Sequence, residues 1–157
     1  MTTGPGTDLR SLSELREAFR AAPDPVLDDL VGAHDSQYVG PGWLRSAAPL
    51  SMRVLGMPGW CGKRFAPDAG DGILRGVNLV RGRGGALGDS IPMTARLEPS
   101  RMDGRPALVI SYPPDARFPW PRVRDELRPF GSGTLLGMTF GIPLAPPGGA
   151  PFLLHRA

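Results

Sequence analysis

Apolar residues near the N-terminus recur at helical spacing. They begin at the capping box that Ser11 and Glu14 form, and they continue on one face for about three turns. A second apolar stripe follows Asp24 and Pro25, two residues that suit the start of a helix, and it stops at Gly32. The pattern therefore predicts two short amphipathic helices at the N-terminal end of the chain.

From Trp60 onward the apolar pattern changes to short runs of β-forming residues, as is typical of strands. Glycine and proline, 22 and 19 residues respectively, separate these runs as turn signals. The segment between the helices and Trp60 is predicted to be irregular, with about one helical turn. Seven segments are predicted to be strands: 59–65, 73–81, 91–98, 106–112, 122–129, 133–140 and 151–156.

Seven or eight short strands with tight connections favour a mainly β fold, a single antiparallel β-barrel that the two helices precede. Closure removes the exposed strand edges that an open sheet would leave. A two-sheet sandwich would use the same elements. The length of 157 residues fits one such domain, with residues 1–56 as a helical extension packing on the barrel and residues 57–157 as the barrel itself.

Alternation within the strands predicts which side chains face the interior. Asp125 shares a face with Val123 and Leu127, so a carboxylate is expected among apolar neighbours. A buried carboxylate needs a partner, for which Arg75 and the hydroxyl of Tyr112 are the candidates. Two interpretations stay open: a bond that only satisfies the core, or a polar anchor or general acid–base group for a ligand. The other residues predicted to face a ligand are Val77, Leu79, Met93, Leu108, Ile110 and Leu127.

Charge and composition restrict the classes of function. A net charge of +3 with arginines scattered among acids gives no clustered basic face, so no nucleic-acid partner is expected. Cys61 is the single cysteine, which excludes an intrachain disulfide and a cysteine-based zinc site. No apolar run reaches the ~20 residues of a membrane span, and no signal-peptide pattern occurs, so a cytoplasmic location is expected.

Motifs of known chemistry are missing from the sequence. The Gly-Ser-Gly of residues 131–133 lies in a predicted hairpin turn and is not a nucleophile elbow. No HExxH spacing occurs, and two histidines with one cysteine do not make a zinc constellation. No metal or other cofactor is therefore expected.

The segment Trp60-Cys61-Gly62-Lys63-Arg64-Phe65, together with residues 123–128, 134–138 and 152–156, resembles the GXWXG-type bacterial domains of unknown function, which are similar to calycins and lipocalins. The similarity runs from about residue 57 to the C-terminus. It departs from the motif at Pro58, which occupies the position of the first glycine. The resemblance implies a barrel that holds small lipophilic molecules.

The same resemblance implies a structural plug. In lipocalins the tryptophan of the first strand packs near the closed end beneath an arginine of the last strand, and the matching residues are Trp60 and Arg156. A cation–π contact of this kind contributes about 1 kcal/mol. Nitrobindin-like barrels bind haem through a histidine upstream of this position, whereas His155 adjoins Arg156. Haem is therefore not expected.

Three functions remain. The first is binding of a small hydrophobic metabolite in the barrel. The second is a cofactor-free enzyme, a cyclase or isomerase of polyketide-like or other lipophilic substrates, with Asp125 and Tyr112 as the catalytic residues. The third is a protein-interaction module that uses the N-terminal helices.

Overall fold

Eight antiparallel strands close into a barrel in the computed structural model, which describes residues 11–157. Each strand pairs with the next along the chain, and the last pairs with the first. This arrangement confirms the predicted mainly β barrel and excludes the sandwich. The strands are β1 (Gly32–Tyr38), β2 (Trp60–Phe65), β3 (Leu74–Arg81), β4 (Leu87–Pro99), β5 (Pro106–Ser111), β6 (Arg124–Pro129), β7 (Thr134–Phe140) and β8 (Ala150–Arg156).

Two α-helices accompany the barrel. Helix α1 (Leu12–Ala21) begins at the Ser11 cap as predicted, and helix α2 (Gly42–Val54) connects β1 to β2. Helix α2 lies in the segment that was predicted to be irregular. Within residues 11–157, no helix combines the length and apolar character needed to cross a bilayer.

Strand β1 corrects the predicted N-terminal organisation. It pairs with β2 on one side and β8 on the other, and the predicted second helix is reduced to a 3-10 turn at Leu27–Asp29. The barrel therefore begins at Gly32 and not at residue 57; of the predicted extension 1–56, residues 1–10 lie outside the described residues. The sequence of β1 is mostly polar, so its strand conformation comes from pairing with two neighbours and not from local propensity.

Glycines on either side of Trp60 let β2 approach its neighbours. Gly59 has a φ of 73°, and a Cβ atom there would collide with the carbonyl oxygen of Arg81. A Cβ atom on Gly62 would collide with the carbonyl oxygen of His34 on β1. The glycines of this motif therefore serve the close pairing that closes the barrel.

Two apolar clusters stabilise the fold. The interior cluster fills the barrel, and its leucines Leu74, Leu108, Leu127 and Leu154 are fully buried towards the end where β1 begins. The second cluster lies outside the barrel, where α1 covers the outer faces of β5, β7 and β8. Its fully or almost fully buried members include Leu15, Phe19, Val109, Leu136 and Leu153.

A buried arginine on the outer face of β6 joins α1 to the barrel. The guanidinium of Arg128 donates to both carboxylate oxygens of Asp103 at 2.7 Å and to the carbonyl oxygen of Phe19 at 3.1 Å. It also lies 4.5 Å from the centre of the Phe19 ring. Alternation along β6 places Arg128 on the face opposite to that of Asp125. The groups that bury its guanidinium, Phe19 and Asp103, come from parts of the chain distant in sequence.

This ion pair predicts acid sensitivity. The hydrogen bonds from Arg128 hold the pKa of Asp103 at about 2, below its ordinary 3.8. Because the unfolded chain binds this proton more tightly, the stabilisation is fully present above the ordinary value and is lost as the pH falls towards 2. Urea unfolding should show that Asp103→Asn is less stable than wild type at pH 6 and that the difference shrinks at pH 3. A difference that does not vary with pH would contradict this assignment.

Candidate functional site

A cavity of about 530 Å³ occupies the end of the barrel opposite the leucine-rich interior cluster. Its wall is formed where β1 and β7 end and where β2, β6 and β8 begin. Helix α2, Leu55 and Met57 just after it, Trp120 and the loop 142–146 contribute most of the rest of the lining, which is predominantly apolar. The volume lies within the range of about 300–1,000 Å³ that small-molecule sites usually have.

The mouth of the cavity carries exposed apolar side chains. Trp43, Leu50 and Val54 of α2 line the cavity and are 61%, 65% and 76% exposed. Leu144, on the loop 142–146, also lines it and is fully exposed. Apolar side chains that cluster on a surface in this way mark an interaction site or the opening of a ligand groove.

Lys63 lies inside the barrel, on the floor of this cavity. Its Nζ atom donates to Oδ1 of Asn78 and to the hydroxyl oxygen of Tyr112, both at 2.9 Å, and lies 3.3 Å from Oδ2 of Asp125. The side chain is 2% exposed. These three oxygen atoms satisfy the three donors of an ammonium group.

Asp125 accepts hydrogen bonds at both carboxylate oxygens. The Tyr112 hydroxyl donates to Oδ2 at 2.9 Å, and the Thr139 hydroxyl donates to Oδ1 at 2.8 Å. Together with the Lys63 ammonium, these donors offset the cost of burying the carboxylate. We call Lys63, Asn78, Tyr112, Asp125 and Thr139 the polar cluster.

An irregularity in β2 brings Lys63 into the interior. The pairing between β2 and β3 shifts between Trp60 and Gly62, which marks a β-bulge. Trp60 and Lys63 therefore both line the cavity, although residues three positions apart would face opposite sides of a regular strand. The Trp60 indole donates to Oδ1 of Asn78 at 3.1 Å, and the Asn78 amide nitrogen donates to the carbonyl oxygen of Ile91 at 3.0 Å. Hydrogen bonds at both the oxygen and the nitrogen of its amide group therefore hold the Asn78 side chain in place.

Burial shifts the pKa values of the polar cluster in opposite directions. It lowers the pKa of Lys63 from its ordinary 10.5, and the negative charge of Asp125 opposes this change. It raises the pKa of Tyr112 well above 10, and the charge of Asp125 acts in the same direction. The cluster therefore holds an amine that is easier to deprotonate than a free lysine, beside a tyrosine that keeps its proton.

Asp125 and Tyr112 thus lie together and line the cavity, whereas Arg75 does not join them. Arg75 is exposed and pairs with Asp71 at 2.8 Å, so the predicted contact with Asp125 is wrong. Inward and outward side chains alternate along β3, and Asn78 is one of the inward ones. Arg75, Val77 and Leu79 lie an odd number of positions from Asn78, so they do not face the interior. Neither Val77 nor Leu79 lines the cavity.

The other predicted ligand contacts belong to the core and not to the cavity wall. They do face the interior, but they pack in the apolar cluster below the polar cluster and are absent from the lining: Met93, Leu108, Ile110 and Leu127. One of them, Met93, contacts the polar cluster, since its sulfur lies 3.6 Å from Nζ of Lys63.

The predicted plug of Trp60 and Arg156 is also wrong. Trp60 lies at the mouth of the barrel, where its ring contacts Tyr38 and Phe152 edge-on. Arg156 pairs with the start of β1 at the opposite end and donates to the carbonyl oxygens of Val31 and Asp29. Because β1 precedes β2, the strand that starts with Trp60 is the second strand of the barrel and not the first. It therefore starts at the end opposite to the one where β8 finishes with Arg156.

No protein-family model matches this chain, and no curated protein matches it. A solved crystal structure of a protein from Thermomonospora curvata is similar in fold, with a TM-score of 0.68 and 18% sequence identity. The similarity covers 96% of this chain and 90% of that one. At this level of identity the comparison concerns the fold alone, and the resemblance to GXWXG domains stays a prediction.

Proposed function

We propose that this protein binds a small apolar molecule with one polar group inside the barrel, the apolar part in the cavity and the polar group at the polar cluster. The observation that carries the proposal is the composition of the site. Apolar walls surround about 530 Å³ of space, and fully partnered polar groups from four strands and a neighbouring segment meet at the floor. Sites for small molecules combine these two features.

The charge of the polar cluster favours a neutral ligand. The positive charge of Lys63 is already paired with Asp125 at 3.3 Å. A ligand carboxylate would place a second negative charge beside Asp125, whereas a carbonyl or hydroxyl group would only exchange hydrogen bonds with Lys63 and Tyr112. We therefore infer an aldehyde, ketone or alcohol and not a fatty acid.

Displacement of a fluorescent probe tests this proposal. N-phenyl-1-naphthylamine should bind in a saturable one-to-one manner, with increased emission. Decanal and decanol should displace it at concentrations about tenfold lower than decanoate at pH 8, because Asp125 opposes the carboxylate. No saturable binding of the probe would contradict the proposal.

The matched variant is Asp125→Asn, which keeps the shape of the side chain and removes its charge. In this variant the positive charge of Lys63 has no counterion, so decanoate should become the better competitor. An unchanged order of competitors would show that the polar cluster does not contact the polar group of the ligand.

An enzyme is a second candidate, because an acid, a base and an amine meet inside a site with little exposure to solvent. The Tyr112 hydroxyl lies 2.9 Å from both Nζ of Lys63 and Oδ2 of Asp125, a chain along which a proton can move. Recovery of the bound ligand chemically unchanged would support binding alone, and recovery of an isomer would support a cyclase or isomerase.

Helix α1 does not support the third function, a protein-interaction module. Its residues Leu15 and Phe19 are fully buried against the barrel and so do not offer a surface to a partner.

A further inference from the structure

Lys63 is the only lysine among the 18 lysine and arginine residues of this chain. The other 17 residues of this set are arginines, whose guanidinium groups do not lose a proton in proteins, whereas a lysine amine can lose its proton and act as a nucleophile. The one residue with this chemistry is fully buried and lines the cavity. An ion pair alone would be served equally well by arginine.

From this placement we propose that Lys63 forms a reversible covalent imine with the aldehyde or ketone group of an apolar ligand. The inference rests on the proposed function, because the ligand must first occupy the cavity. It adds that the carbonyl carbon, and not only a hydrogen bond, holds the ligand in place.

The polar cluster supplies the groups that this reaction needs. Lys63 transfers a proton to Asp125, which gives a neutral amine and a neutral acid in a site where charge separation is costly. The Nζ lone pair then attacks the carbonyl carbon, and the carbonyl oxygen takes a proton from Asp125 through Tyr112. The nitrogen of the resulting carbinolamine returns one proton to Asp125, which passes it through Tyr112 to the hydroxyl group. The C–O bond then breaks as the C=N bond forms, and the oxygen leaves as water.

The same geometry stabilises the product. A protonated imine carries its positive charge at the position of Nζ, which is 3.3 Å from Oδ2 of Asp125 and 2.9 Å from the Tyr112 hydroxyl. Asp125 therefore serves as the counterion of the imine as it does of the ammonium. Addition of water reverses the reaction and returns the free carbonyl compound. The atoms balance as one amine and one carbonyl against one imine and one water, and no oxidant or reductant takes part.

Reductive trapping tests the proposal. The purified full-length chain is incubated with decanal and sodium cyanoborohydride, and its intact mass and its peptides are measured. The expected product carries one added decyl group, the mass of decanal less one oxygen, on Lys63. The amino terminus of the chain is the only other primary amine and serves as an internal control, so labelling of Lys63 should exceed that of the terminus at least tenfold.

Two controls and two contrary outcomes complete the test. Lys63→Arg keeps the positive charge and should lose the label on the peptide that contains residue 63. Excess decanol should suppress labelling of wild-type Lys63 but not of the terminus, since decanol occupies the cavity without reacting. If decanal displaces N-phenyl-1-naphthylamine while only the terminus is labelled, binding stands and the imine proposal is overturned. If decanal does not displace the probe, the proposed function fails as well.

Discussion

Replacing Ala150 with tryptophan should weaken the binding of N-phenyl-1-naphthylamine about tenfold to a hundredfold. Ala150 lines the cavity at the start of β8 and shares the inward face of that strand with Phe152 and Leu154. Because the strand fixes the direction of its side chains, the indole must enter space that the ligand would occupy. Overpacking of a filled site costs about 1–3 kcal/mol, which sets the size of the expected loss.

Ser111→Trp is the matched control for this variant. Ser111 also lies at an end of a strand, but it is exposed on the outer face and does not line the cavity. Its affinity for the probe should equal that of wild type. Equal affinities for all three proteins would show that the probe binds elsewhere.

Removing the carboxylate of the polar cluster should have a large effect on folding. In Asp125→Leu the ammonium of Lys63 stays buried without its counterion, and we expect the free energy of unfolding to fall by about 3–5 kcal/mol. Burial already lowers the pKa of Lys63, and loss of Asp125 removes the charge that opposes this shift. Because the unfolded chain then binds the proton more tightly, stability should rise as the pH increases towards 10.5.

A second substitution separates loss of charge pairing from loss of packing. Lys63→Met combined with Asp125→Leu removes both charges and keeps apolar bulk at both positions, so much of the lost stability should return. Urea unfolding of the two single variants and the double variant measures the coupling. If the double variant loses the sum of the two single effects, the ion pair does not carry the energy assigned to it.

Regular strands explain why most of the barrel could be predicted from the sequence. In β5 and β6 the alternation is uninterrupted. It therefore predicts, without knowledge of the fold, that Tyr112 and Asp125 face the interior, and the Tyr112 hydroxyl is a predicted partner of Asp125. The seven strands from Trp60 onward were predicted within a few residues of their bounds, apart from the longer β4, because turn residues separate them. Local sequence signals were sufficient there.

Other parts of the site depend on non-local structure. Lys63 enters the cavity because of a β-bulge, which an alternation pattern does not reveal. Strand β1 is polar and forms only because β2 and β8 pair with it. One signal for Lys63 was present in the composition: a single lysine among arginines, next to the tryptophan motif. Its chemistry, and not its charge, distinguishes it.

Native mass spectrometry can show whether the cavity holds a natural ligand. Wild type and Ala150→Trp are compared after both have been exposed to the same lipophilic extract of the cells that naturally produce the protein. We expect one discrete adduct on wild type that denaturation releases, or that cyanoborohydride fixes on Lys63, and no adduct on the variant. The same adduct on both proteins, or none on either, would contradict the assignment of the cavity as a ligand site.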